Sequence, residues 1–142
     1  MKTYACITFL IALGITNCLV AQSEEESIKI TIQKYIEGTS YNNPELIKEA
    51  FYEEAPLFLS HKDKEIWIVP IKEYASWYEK KEKGKFNGRK GNVLSIDQQN
   101  DIALAKAEIL AEGKDTRYVD VFILKKIGGN WKIISKAATK TH

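Results

Sequence analysis

The stretch "IALAKAEILAE" (102–112) decides the fold, because it can be read two ways. By intrinsic propensity it is a helix. By alternation it is a strand, with Ala103, Ala105, Ala107, Ile109 and Ala111 on one face and the more polar Lys106, Glu108 and Glu112 on the other. Strand-like segments flank it, about 89–98 before and 117–126 and 131–139 after. Neighbouring strands favour the sheet, since packing context overrides propensity. The C-terminal half is therefore expected to be four strands joined by short turns.

The last two strands are read from "YVDVFILKKIGGNWKIISK" (118–136). Gly128-Gly129 predicts a two-residue turn, which pairs Ile127 with Asn130. Counting back, Lys126 faces Trp131, Leu124 faces Ile133, Phe122 faces Ser135 and Asp120 faces Ala137. Opposed residues share a face. One face then carries Tyr118, Asp120, Phe122, Leu124, Trp131 and Ile133. The other carries Val119, Val121, Ile123 and Ile134, bordered by Lys125, Lys132 and Lys136. The aromatic face has the bulk to meet helices, so Asp120 is expected to point inward.

Upstream, Ile28, Ile32, Tyr35 and Ile36 recur on one helical face, and Gly38 is read as the helix end. Asn43 caps a second helix, with Pro44 in its first turn. "LFLS" and "IWIV" around "HKDKE" read as a hairpin. A third helix is expected over Ile71–Gly84, with Ile71, Tyr74, Ala75 and Tyr78 inward. The order is helix, helix, hairpin, helix, four strands.

Three stretches carry a family likeness: "YIEG" (35–38), "NPELIKEAFYEEA" (43–55) and "VFILKKIGGNWKIISK" (121–136). In them the chain resembles the nuclear transport factor 2-like superfamily, and within it the small bacterial proteins described as "putative lumazine-binding" or polyketide-cyclase-like. The resemblance implies an α+β cone: three N-terminal helices on a curved, mostly antiparallel sheet. It implies a pocket on the concave side and a convex side that often makes a dimer. Tyr52 and Gly128 stand where a histidine and an aspartate are frequent, so no role is carried over to them. The superfamily holds isomerases, dehydratases, hydrolases and non-catalytic binders, so fold alone does not name a function.

Composition narrows the classes. With 142 residues the chain suits one domain with a core. Its 21 lysines and arginines nearly balance 19 acids, which gives no case for nucleic acid. The first residues, "MKTYACITFLIALGITNCLVAQS" (1–23), have a lysine, an apolar run too short for a bilayer, and an Ala21-Gln22-Ser23 cleavage site. They read as a signal peptide, leaving a single domain at 24–142 and an exported, periplasmic or extracellular protein with no transmembrane segment. Cys6 and Cys18 both fall in the leader. A lipidated Cys18 fits poorly, because Asn17 sits where a small residue is expected. The mature chain then has no thiol.

No metal spacing is visible around His61 or His142, and no cofactor is expected. No nucleophile elbow is visible either. Asp97, Asp101 and Asp115 flank turns, which leaves Asp120 as the acid with a shielded place. The first expectation is an unknown small, mainly apolar molecule bound between helices and sheet, touched by Tyr35, Trp77, Tyr118, Asp120, Phe122 and Trp131. The residues leave catalysis open. A carboxylate-based isomerase, dehydratase or cyclase would use Asp120 as base, with Tyr118 or Tyr41 as donor. A homodimer or protein-interaction module would use the Val119, Val121 and Ile123 face.

Overall fold

Apolar residues at helical spacing build the first layer. In a computed structural model that describes residues 23–113 and 116–141, helix α1 runs over 23–40 and buries Ile28, Ile32, Tyr35 and Ile36. The leader expected at 1–23 lies outside the described residues except for Ser23, as do Cys6, Cys18, Asp115 and His142. Helix α2, Pro44–Ala50, starts as expected: the Asn43 side chain accepts from Leu46 N at 3.3 Å and Pro44 follows. Strands β1, Pro56–His61, and β2, Lys64–Pro70, form the hairpin. Helix α3, Ile71–Ser76, is followed by β3, Arg89–Gln99, β4, Ile102–Ala111, β5, Thr116–Ile127, and β6, Asn130–Thr141.

The six strands lie in the order β2-β1-β6-β5-β4-β3. All neighbours are antiparallel except β1 and β6. The segment 102–111 is a strand, as its alternation predicts: Ala103, Ala105, Ala107 and Ile109 are buried while Leu104, Lys106 and Leu110 are exposed. Sheet pairing on both sides overrides its helical propensity. The helices cover the face that carries Phe122, Leu124, Trp131 and Ile133, and there the core sits.

Three expectations are corrected. Gly38 does not end the first helix, which continues to residue 40. A Cβ at Gly38 would stand 2.7 Å from Ile47 Cγ1 and 2.9 Å from Ile47 N, so this glycine lets α1 and α2 touch. The third helix stops at Ser76 rather than Gly84; beyond it Trp77, Tyr78, Glu79 and Lys81 donate to carbonyls three residues back, in tighter turns.

The third correction concerns β6. The hairpin register holds from Ile127–Asn130 to Leu124–Ile133, then a β-bulge intervenes, and Ile123 pairs with Ser135. Phe122 therefore faces Lys136, not Ser135, and Asp120 faces Ala138, not Ala137. One extra residue, Ile134, reverses which face the rest of the strand presents. Lys136, read from the sequence as a border of the outer face, turns inward and is 2% exposed.

The close approach at Gly38 makes a prediction. Gly38→Ala gains about 1 kcal/mol of helix propensity but forces a methyl onto the α2 backbone, an overpacking that costs about 1–3 kcal/mol. Because backbone cannot swing away, the steric cost is expected to win, with a lower urea midpoint. A stabilised variant would contradict the packing.

Candidate functional site

Asp120 lies on the concave face and is 1% exposed. Burying a carboxylate demands partners, and two elements supply them. Tyr35, on α1, donates its hydroxyl to Asp120 Oδ2 at 2.7 Å. Lys136, turned inward by the bulge, places Nζ 3.0 Å from the same oxygen and 3.1 Å from the Tyr35 hydroxyl. The two charges are diagonal neighbours across the β5–β6 pair. Both are almost fully buried, so water screens their attraction little.

A row of phenols extends the cluster. The Tyr35 and Tyr74 hydroxyls are 3.4 Å apart, and those of Tyr74 and Tyr78 are 3.2 Å apart. Tyr74 and Tyr78 meet because they sit four residues apart, Tyr74 in α3 and Tyr78 in the tighter turns that continue it. The Lys136 ammonium also lies 5.2 Å from the Tyr35 ring centre and 5.4 Å from that of Tyr74. Burial and then the Asp120 charge push the Tyr35 phenol well above its ordinary value. Burial also acts to raise Tyr74, but the Lys136 and Arg89 charges outweigh it and bring that phenol below its ordinary value. Burial and then Tyr74 raise Tyr78.

These groups open onto a cavity of about 240 Å³. The buried Asp120 and Lys136 line it together with Arg89, and Trp67 and the exposed Trp77 form an aromatic wall. The two indoles stack at 5.3 Å between ring centres. Trp77 remains 38% exposed, so the aromatic wall is also the entrance. Tyr74, Tyr78 and Tyr118 line the cavity as well. The site thus joins an aromatic wall to a charged, mostly buried cluster.

The residues named from the sequence fall into three places. Trp77, Tyr118 and Asp120 line the cavity. Tyr35 and Phe122 are fully buried beside it; Tyr35 acts through Asp120, and Phe122 packs edge-on against the Tyr35 ring at 5.5 Å. Trp131 lies elsewhere, donating Nε1 to Glu24 Oε2 at 2.7 Å. Tyr41 is also away from the cluster, its ring beside Phe86. His61 accepts from Asp63 N through Nδ1 and does not line the cavity. Among the described residues, no group of three or more potential ligands could hold a metal.

Sequence reasoning missed Lys136 and Arg89. Lys136 was hidden by the bulge. Arg89 stands at the first position of β3, where an end-of-strand cation reads as solvated; its neighbours are set by the fold. A larger groove of about 530 Å³ opens near α1 and the β5–β6 turn, lined by Glu24, Lys34, Glu49, Lys126, Trp131 and Lys132 among others. Its charges answer one another: Glu24 takes Lys126 and Trp131, and Glu49 takes Lys34. We place the site at the smaller cavity because a buried charged cluster opens onto it.

A family model described as "Putative lumazine-binding" matches residues 23–137. The chain belongs to that family. No curated protein matches it. Among the solved structures that the chain resembles are nuclear transport factor 2-like proteins of unknown function. One from Shewanella baltica is 22% identical, with 84% of this chain and 95% of that chain covered and a TM-score of 0.74. Another, from Silicibacter pomeroyi, is 15% identical over 85% and 98%, with a TM-score of 0.75. A third, from Methylobacillus flagellatus, is 21% identical over 84% and 94%, with a TM-score of 0.71. At such identities the likeness establishes the α+β nuclear transport factor 2-like fold and nothing about chemistry.

The ion pair makes its own prediction. Lys136→Met leaves the Asp120 carboxylate buried and unmatched, and is expected to cost about 3–5 kcal/mol of unfolding free energy. Adding Asp120→Asn removes that stranded charge and should restore a large part of the loss. Urea melts of the two single variants and the double measure the coupling; strictly additive losses would contradict a direct pair.

Proposed function

We propose that this domain binds a small planar molecule in the cavity between the helices and the sheet, without acting on it chemically. The observation that carries the reading is the stacked Trp67–Trp77 wall over a buried polar floor. Apolar walls with a few fixed polar groups suit recognition of a flat ring. The family description points the same way, since lumazine is a flat heteroaromatic molecule.

Catalysis by Asp120 has less support. A general base needs a free lone pair within reach of the substrate. Here Tyr35 and Lys136 occupy Oδ2, which leaves Oδ1 as the one oxygen that could take a proton, and the carboxylate is tied into a buried ion pair. Exchanging the protein against metabolite pools and recording native mass spectra is expected to show a retained small-molecule mass, lost in Trp77→Ala. A wild-type protein that captures nothing, with the indoles closed over the cavity in a crystal, would contradict the reading.

A second reading, a homodimer, is favoured by the outer sheet face. Leu104, Leu110, Val121 and Ile123 are exposed there on adjacent strands. Lys106 and Glu108 lie on the same face with opposite charge. Glu108 is held by Arg117 of its own chain, so the apolar residues carry the case for a self-complementary face. Export through the N-terminal leader belongs to the same proposal and places the dimer outside the cytoplasm. Light scattering at micromolar concentration is expected to give the dimer mass, and Val121→Lys the monomer mass. A monomeric wild type would contradict it.

A further inference from the structure

Arg89 is the charge that the cluster's internal pairing leaves over. The Asp120 carboxylate is matched by the Lys136 ammonium. Arg89 lines the same cavity, and its Nε is buried with no hydrogen-bond partner among the described residues. The acid that lines the adjoining opening with it, Glu112, is held by Lys90. Among the described residues, one carboxylate thus shares the cavity with two cations, an excess of one positive charge. Burial works against the guanidinium, yet the oxygens of Tyr35, Tyr74, Tyr78 and Asp120 outweigh that and keep it charged. A shielded cation without a matching anion is costly, and removing the mismatch stabilises whatever supplies the anion. The guanidinium fork fits a carboxylate with two parallel hydrogen bonds.

We propose that the cavity takes an aryl carboxylate, its ring against the Trp77–Trp67 wall and its carboxylate on Arg89. This rests on the small-molecule reading above and adds the ligand's charge. The size agrees: about 240 Å³ lies below the roughly 300–1,000 Å³ of sites for drug-sized ligands, and so suits one or two rings. Asp120 does not repel such a ligand, because Lys136 and Tyr35 already neutralise and screen it. Arg89 occupies the junction between the cavity and the adjoining opening, which share Tyr78 and Tyr118, so an anion can reach it from either side.

Calorimetric titrations with benzoate, benzamide and acetate test this. Benzoate and benzamide share shape and ring but differ in charge; acetate has the charge without the ring. Benzoate is expected to bind the wild type at least tenfold more tightly than either. Arg89→Gln should abolish the preference over benzamide, Arg89→Lys should keep part of it, and Trp77→Ala should weaken both aromatic probes. The wild-type comparison stands even if an Arg89 variant fails to fold. Benzamide binding as tightly as benzoate would overturn the anionic ligand while leaving the pocket reading intact. Acetate matching benzoate would overturn the aromatic part. No binding of either aromatic probe would contradict both the pocket and this inference.

Discussion

The buried pair between Asp120 and Lys136 is the interaction on which the site depends. It joins the two central strands, β5 and β6, at the point where α1 crosses the sheet and Tyr35 completes the contact. A lone carboxylate in this position would cost several kcal/mol, and a lone ammonium as much. Together they form a fixed polar floor under an otherwise apolar core. Such a pair is weak evidence for stability, since a well-packed hydrophobic substitute can do as well. Its value here is positional: it holds Tyr35, and through it the phenol row, at the base of the cavity.

A single inserted residue makes this arrangement possible. Without the bulge at Ile134, strict alternation would send Lys136 to the outer face and Ser135 inward. The outer face would gain a lysine and the floor would lose its cation. Past the bulge β6 stays paired with β5 as far as Thr141, and on its other edge it pairs in parallel with β1 at Leu57–Lys136 and Phe58–Ala137. The inward cation of the pocket thus has one local cause, the extra residue in β6.

Much of the fold was legible because its signals are periodic. Helical spacing found α1 and α2, and alternation found β3 to β6, including the alanine-rich β4 against its propensity. Gly128-Gly129 fixed the register of the hairpin near its turn. What could not be read were features that break periodicity. Gly38 looked like a helix stop, and only the position of Ile47 shows why a glycine stands inside the last turn of α1. Asp120 was identified as the inward acid because it shares a face with Phe122. Its partner Lys136 lay beyond the bulge, where counting by twos fails. Arg89 joins the site through tertiary packing alone, and no local pattern announces it.

The buried pair requires Lys136 to point inward, and amine accessibility measures that directly. Reductive dimethylation of the folded protein, followed by peptide mass mapping, compares Lys136 with the exposed Lys106 and Lys140. Lys136 is expected to stay unmodified while those two react to completion, and to react only after denaturation. Modification of Lys136 at the same rate as Lys106 and Lys140 in the folded protein would place it on the outer face and contradict the buried pair.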